Sequence, residues 1–208
     1  MTTSRFEATA TLLTDGRVLV AGGLGSTGSV AATGLQYPPQ STAEIYDPAV
    51  GAFTGAGRMA TGRAQQVAAR LPDGSVVVAG GGGANGLLAL SSTGRFNPAT
   101  GAWTTLANLA VAGTGAAATD LADGSVLVAG GQAVNQGSSS SLASAELFDP
   151  TRQTWRSAGR MSCPRSGLAA APLSDGSAVE VAGDTAFPGQ PPVAQGCVDR
   201  YTAASSGH

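Results

Sequence analysis

Asp15-Gly16-Arg17-Val18-Leu19-Val20-Ala21-Gly22-Gly23 is the phrase around which the chain is written. It returns as Asp73-Gly-Ser-Val-Val-Val-Ala-Gly-Gly81 and as Asp123-Gly-Ser-Val-Leu-Val-Ala-Gly-Gly131. A worn copy, Asp175-Gly-Ser-Ala-Val-Glu-Val-Ala-Gly-Asp184, reads as having lost its second glycine to Asp184. The leading aspartates are 58, 50 and 52 residues apart, and self-similarity at such a period marks a repeat architecture. Asp-Gly is a tight-turn dipeptide, because glycine takes positive φ without a Cβ clash. Val-Leu-Val is short, β-branched and apolar throughout, as a buried strand should be. Paired glycines then end the strand and admit a second backbone at close range.

A second phrase follows each of the first three. It reads Ala43-Glu44-Ile45-Tyr46-Asp47-Pro48 with Phe53, Gly94-Arg95-Phe96-Asn97-Pro98 with Trp103, and Ala145-Glu146-Leu147-Phe148-Asp149-Pro150 with Trp155. The Asp or Asn lies six residues before the ring, and Met59, Leu109 or Met161 lies six after it. Four more residues reach Arg63, Gly113 or Arg165, and ten more the next Asp-Gly. Only the stretch after the double glycine changes length. Each unit therefore predicts four antiparallel strands: A, an Ala-rich run such as 8–13 or 66–71; B, Val-Leu-Val-Ala; C, Glu-Ile-Tyr; and D, around the ring. Small residues in A suit a crowded inner position and aromatics in C and D the wider outside of a radial fold. The fourth unit offers only Val198-Asp199-Arg200-Tyr201 for strand C and no strand D, so 15 strands are expected.

Composition narrows the classes. Four repeats in 208 residues point to one array, and the 31 glycines recur at fixed places in it rather than marking disorder. Charged residues are 12% and the net charge is −2, so the basic stripe of a nucleic-acid binder is missing. All 11 basic residues are Arg, which reads as the codon bias of a GC-rich bacterial genome. No apolar run approaches the roughly 20 residues of a membrane span. Residues 1–7 lack the charged and apolar regions of a signal peptide, so the compartment is not read from the chain, although a secreted parent protein is compatible with it.

The co-spaced double glycines 22–23, 80–81 and 130–131, the strand-C rings Tyr46, Phe96 and Phe148, and the strand-D rings Phe53, Trp103 and Trp155 resemble the kelch repeat, in the bacterial form also seen in the propeller domain of galactose-oxidase-like proteins. The resemblance covers roughly residues 5–201. It implies an all-β propeller with one repeat per blade: a single domain, 1–208, with repeats roughly 5–59, 60–109, 110–161 and 162–208. Four blades then either close tightly or, the favoured expectation, form an open arc or a fragment of a larger propeller, with the fourth blade incomplete. An open arc would expose apolar end faces and self-associate.

Chemistry-bearing patterns are few. Gly23-Leu-Gly25-Ser-Thr-Gly28 fits G-x-G-x-x-G, yet no helix pattern follows, and a dinucleotide loop needs one. His208 is the only histidine and sits at the chain end, which argues against a Ser-His-Asp triad. The copper site of galactose-oxidase-like enzymes needs two histidines and a tyrosine crosslinked to cysteine. Tyr37, Tyr46 and Tyr201 without internal histidine do not supply it, so no metal, cofactor or catalytic residue is expected. The Asp-Gly aspartates are explained by their turns. Glu44, Glu146 and Asp199 share one strand-C position and Arg5, Arg63 and Arg165 one position ahead of strand A; these either pair structurally or line the blade-top surface. Cys163 and Cys197 both fall in the fourth unit. Strands A and C lie about 10 Å apart, beyond the roughly 7 Å Cα limit of a disulfide, but both residues sit at strand ends whose loops can fold inward. A bridge and two buried free thiols both stay open.

Antiparallel order puts the B–C loops and D–A connectors on one face and the short, uniform A–B and C–D turns on the other. The variable loops 24–40, 82–90, 132–142 and 185–196 make the first face the binding face, since ligand residues favour variable loops on a rigid scaffold. Arg58, Arg63, Arg160 and Arg165 lie there as candidate ligand-binding residues; the Gly/Ser-rich Gln136-Gly-Ser-Ser-Ser-Ser141 reads as a spacer. The expected function is a non-catalytic scaffold for a protein or glycan ligand. The alternative is a fragment of a carbohydrate-oxidase-like propeller enzyme whose catalytic residues lie outside this chain.

Overall fold

The computed structural model describes residues 1–25, 30–31, 34–35, 37–83, 88–135, 138–185 and 193–202. In the first repeat β1 (Thr9–Leu12) and β2 (Val18–Ala21) are followed by a small ribbon of β3 (Val30–Ala31) and β4 (Gly34–Leu35), then by β5 (Thr42–Asp47) and β6 (Ala52–Arg58). The second repeat holds β7 (Val67–Arg70), β8 (Val76–Ala79), the loop strands β9 (Gly82–Gly83) and β10 (Leu88–Ala89), β11 (Thr93–Asn97) and β12 (Ala102–Leu106). The third holds β13 (Ala117–Asp120), β14 (Val126–Ala129), β15 (Gln132–Asn135), β16 (Ser138–Ser141), β17 (Ser144–Asp149) and β18 (Thr154–Arg160). The fourth holds β19 (Ala169–Pro172), β20 (Ala178–Val181), the ribbon β21 (Asp184–Thr185) and β22 (Val193–Ala194), and β23 (Val198–Tyr201). Three antiparallel sheets of order A-B-C-D and a fourth of order A-B-C make up the blades, which is the 15-strand count expected.

Strands A form the inner row: β1 packs on β7, β7 on β13 and β13 on β19, while β19 and β1 are not packed in this way. The blades thus form an arc. A ladder of backbone hydrogen bonds runs along its inner side, from Gln65 N–H to the Glu7 carbonyl, Gly115 N–H to Gln65 and Gly167 N–H to Gly115, each 3.0 Å. All four residues stand at positive φ, 57°, 52°, 65° and 62°, which turns successive carbonyls towards the neighbouring blade.

The core lies between blades, not within them. Leu19, Ala21 and Ile45 of blade 1 meet Val76, Val78 and Phe96 of blade 2. Val77 and Ala79 meet Val126, Val128 and Phe148, and Leu127 and Leu147 meet Leu168 and Ala178. The strand-C and strand-D rings pack, tilted, within each of the first three blades with centroids 4.9, 5.2 and 5.0 Å apart. Each indole N–H reaches back to the preceding blade: Trp103 donates to the Ala56 carbonyl at 2.8 Å and Trp155 to Thr93 Oγ1 at 3.2 Å.

The double glycine is the blade-to-blade joint. The second N–H donates to the connector carbonyl of the next blade, Gly23 to Arg63, Gly81 to Gly113 and Gly131 to Arg165, at 2.8, 2.8 and 2.9 Å. A Cβ on the first glycine would stand 2.7, 2.7 and 2.6 Å from those same carbonyls. Here the fourth repeat corrects the sequence reading. In register with Gly22 stands Ala182, at φ 59°, and Gly183 keeps the place of Gly23, so the glycine lost is the first and not the second. A methyl group is accommodated there, where among the described residues no connector carbonyl faces it as Arg63, Gly113 and Arg165 face the first glycines of the other blades. Strand B also departs from expectation in blade 1: β8 and β14 are buried at all four positions, but Val18 and Val20 only half, for want of a blade on that side.

Candidate ligand-binding cleft

The turns need no function to explain them. Asp73, Asp123 and Asp175 each accept from the N–H and the hydroxyl of the serine two residues on, and Asp47, Asn97 and Asp149 cap the C–D turns in a similar way. The opposite face is more elaborate than a set of spacer loops. Strands β9 and β10 from blade 2 and β15 and β16 from blade 3 join into one four-stranded sheet that crosses the blade boundary through Leu88 and Asn135. Ser138–Ser141 is therefore a strand; Gln136, Gly28 and His208 lie outside the described residues.

Beneath this face each blade has a socket ahead of strand A. In blade 1 Arg5 is buried, with Nη1 donating to the carbonyls of Gly22 and Thr42 at 2.8 Å each. Its Nη2 donates to Thr42 Oγ1 and to Glu44 Oε2, both at 3.1 Å. The Glu44 carboxylate also accepts from the Thr2 N–H and hydroxyl. Burial works to raise the Glu44 pKa, but the hydrogen bonds from Thr2 and Arg5 outweigh it and hold the carboxyl below its ordinary value. In blade 4 fully buried Arg165 pairs with Asp199 at 2.8 Å, and Asp199 accepts from the Ser162 N–H and hydroxyl. Cys163 and Cys197 form a disulfide across this socket, with Cα atoms 6.6 Å apart. That separation is shorter than the about 10 Å between strands A and C, so the connector and the lead into β23 approach each other at the strand ends.

Blades 2 and 3 each lack half of the pair. In blade 3 Gly113 replaces the arginine; Glu146 is buried and accepts from Ala110 and Val111 N–H at 2.8 and 3.0 Å. The missing side chain leaves a cavity of about 20 Å³ beside Gly113 and Glu146, room for one water. In blade 2 Arg63 repeats the Arg5 contacts, to the carbonyls of Gly80 and Ser92 and to Ser92 Oγ at 2.8, 2.7 and 2.8 Å. The carboxylate is missing: Gly94 stands where Glu44, Glu146 and Asp199 stand, opposite Val78 as they are opposite Val20, Val128 and Glu180. Arg63 is 2% exposed, and burial lowers its pKa to about 10, so it remains a cation at neutral pH. Beside it opens a cleft of about 240 Å³ between blades 1 and 2, lined by Arg58, Ala60, Thr61, Arg63, Gly94 and Trp103 among others.

Of the four arginines singled out in the sequence, the structure brings Arg58 and Arg63 to one cleft. Arg165 is closed in its own ion pair, and exposed Arg160 borders a separate hollow with Glu180 and Asp199. Glu180, on the worn strand B, went unremarked in the sequence; burial chiefly, then the adjacent Asp199 charge, pushes its pKa up to about 7. Gly94 was equally legible, as the one strand-C position without an acid. The connector N–H groups leave no trace in a sequence.

Residues 116–162 match the Kelch motif family model. This third repeat is a kelch repeat. No curated protein matches the chain. Among the solved structures that do, that of YjhT superposes with a TM-score of 0.70 at 19% identity, covering 86% of this chain and 59% of that one. At that identity the likeness speaks for the propeller fold alone, and the chain spans about three fifths of that structure's length.

Proposed function

We propose that the chain is a non-catalytic kelch-type binding scaffold that takes a protein or glycan ligand on the face bearing the B–C loops and D–A connectors. What supports this reading is the contrast between the two faces. One consists of near-identical Asp-Gly and Asp/Asn-Pro turns; the other carries all the length variation, the inter-blade sheet of β9, β10, β15 and β16, and the blade 1–blade 2 cleft. A rigid array presenting variable loops on one side is suited to recognition. The test is a glycan and protein-interaction screen of the intact chain, repeated with residues 138–141 replaced by a two-residue Asn-Gly hairpin. Binding that weakens at least tenfold in the loop variant supports the reading; binding unaffected by it, or turnover of a bound glycan, overturns it.

A further inference from the structure

The four sockets, compared position by position, assign a chemistry to the cleft. In blades 1, 3 and 4 a strand-C carboxylate sits at one point in the repeat and receives the N–H of the residue three before the arginine position: Thr2, Ala110 and Ser162. In blades 1 and 4 it also receives an arginine Nη2. Blade 2 keeps the arginine and the backbone N–H, loses the hydroxyl that Thr2 and Ser162 supply, and drops the acceptor. Ala60 is the counterpart of Thr2, Ala110 and Ser162, and its N–H, like that of Thr61, has no acceptor among the described residues. Arg63 Nη2 donates only to Ser92 Oγ, where Arg5 Nη2 has both a hydroxyl and a carboxylate.

A buried guanidinium without a counter-charge is costly, and a guanidinium is the group best matched to a carboxylate. The two sockets that hold both an arginine and an acid are covered, by Thr2 in blade 1 and by the Cys163–Cys197 bridge in blade 4. The positions equivalent to those cysteines in blade 2 are Thr61 and Ser92, which leave the mouth open, and both line the cleft. At about 240 Å³ it is below the usual range for drug-sized ligands, and suits a molecule of a few heavy atoms.

We infer that the blade 1–blade 2 cleft binds a small organic carboxylate, whose oxygens take the place of the strand-C acid and accept from Arg63 Nη2 and the Ala60 N–H, with Arg58 at the rim and the Trp103 ring alongside. This rests on the binding role proposed above and adds the chemistry of one ligand to it.

Gly94 supplies the decisive variant. Its φ is not in the left-handed region, and a Cβ there would meet only ordinary contacts, 3.6 Å from the Trp103 ring and 3.8 Å from the Thr104 carbonyl. Gly94→Glu therefore restores the acid of blades 1 and 3 and fills the cleft from within. Trp103 lines the cleft and is the site reporter, whereas Trp155 belongs to blade 3 and touches the cleft only through its hydrogen bond to Thr93. Sodium acetate is titrated against the intact chain, with sodium chloride at matched ionic strength, and the indole N–H signals are followed by NMR. The expected result is a saturable shift of the Trp103 signal, with a Kd on the order of 10 mM, a smaller one at Trp155 and none with chloride. The G94E chain should melt about 2–4 °C higher and lose the acetate response. A blocked glutamate dipeptide serves as the second arm: the small-carboxylate assignment requires acetate to bind at least as well. An unmoved Trp103 signal, an equal response to chloride, an unchanged response in G94E, or binding of the dipeptide alone overturns the inference. Arg63→Met tests the same point but risks the fold, and G94E keeps the question answerable without it. Loss of acetate binding in G94E while a loop-face ligand still binds separates this inference from the broader scaffold reading, which the 138–141 variant tests independently.

Discussion

Blades 2 and 3 bury all four residues of strand B, whereas blades 1 and 4 bury every second one. The phrases are nearly the same: Val-Leu-Val-Ala occurs at 18–21 in an end blade and again at 126–129 in an inner one. What differs is whether a neighbour covers both faces. Leu19 and Ala21 point into the first inter-blade core at 1% exposure each, while Val18 and Val20 face the open side. In a fold whose core lies between repeats, the energetic weight of a residue is set by its place in the array as much as by its type. Blade 4 shows the consequence in its own residues. Glu180 occupies the position of Val78 and Val128, Ala182 that of the joint glycine, and a disulfide spans the blade in which the described residues form three strands.

The contrast breaks most visibly at the strand-C rings. Phe148→Ala, at 0% exposure, should cost about 3–5 kcal/mol, and Phe96→Ala the same, while Tyr46→Ala in the half-covered first blade should cost distinctly less. Urea denaturation of the three variants checks this, and equal losses would mean that blade 1 is covered in solution.

The disulfide comes next. Cys163–Cys197 closes a sequence separation of 34 residues, and its reduction should cost about 3–4 kcal/mol in the chain-entropy account. Denaturation with and without reductant measures it. Thiol titration of the denatured, unreduced chain should find no free thiol; two would refute the bridge.

The pH dependence sharpens the comparison between the worn and intact strand B. Glu180 has its pKa raised from an ordinary 4.5 to about 7 in the folded chain, so the folded state holds its proton more tightly than the unfolded. Its stabilising contribution is present below pH about 4.5 and is lost as pH rises towards about 7, by at most about 3 kcal/mol. Glu180→Val, which installs the residue of the inner blades, should flatten that slope in melting curves taken between pH 4.5 and 7. Glu44 works in the opposite sense: its lowered pKa contributes stability above the ordinary carboxylate range that is lost on acidification.

The smallest effect on stability concerns the open faces. Leu12 and Val198, 59% and 64% exposed, lie on strands A and C of the two end blades. Leu12→Glu with Val198→Glu should change stability by about 0.5 kcal/mol or less each. Light scattering of the unmodified chain should show association that the double variant relieves. A monodisperse unmodified monomer would contradict the expectation of self-association.

The fold was readable because each repeat states its own local rules several times over. Asp-Gly and Asp/Asn-Pro give the turns, β-branched runs give strand B, and fixed spacings to the rings give strands C and D. The candidate site was half-readable. Arg58 and Arg63 were singled out for their place on the connector, and the shared position of Glu44, Glu146 and Asp199 was noted. That Gly94 occupies the same position follows from its spacing to Asn97-Pro98, but that Arg63 is thereby left alone beside an open cleft needed the tertiary structure. Buried Arg165 was counted as a ligand candidate because sequence spacing does not distinguish an arginine closed in an ion pair from one open to a cleft.

The sequence by itself determined the repeat, its strand order, the incomplete fourth blade and the turn chemistry, because these depend on residues close together along the chain. Tertiary structure alone decided the inner ladder through Glu7, Gln65, Gly115 and Gly167, the sheet shared by two B–C loops, the open arc, and the difference between a filled socket and an empty one. The ladder and the shared sheet join groups some fifty residues apart, and the sockets join groups some thirty to forty apart. Such contacts are set by how one blade docks on the next, through backbone carbonyls and N–H groups that every residue carries and no residue type announces.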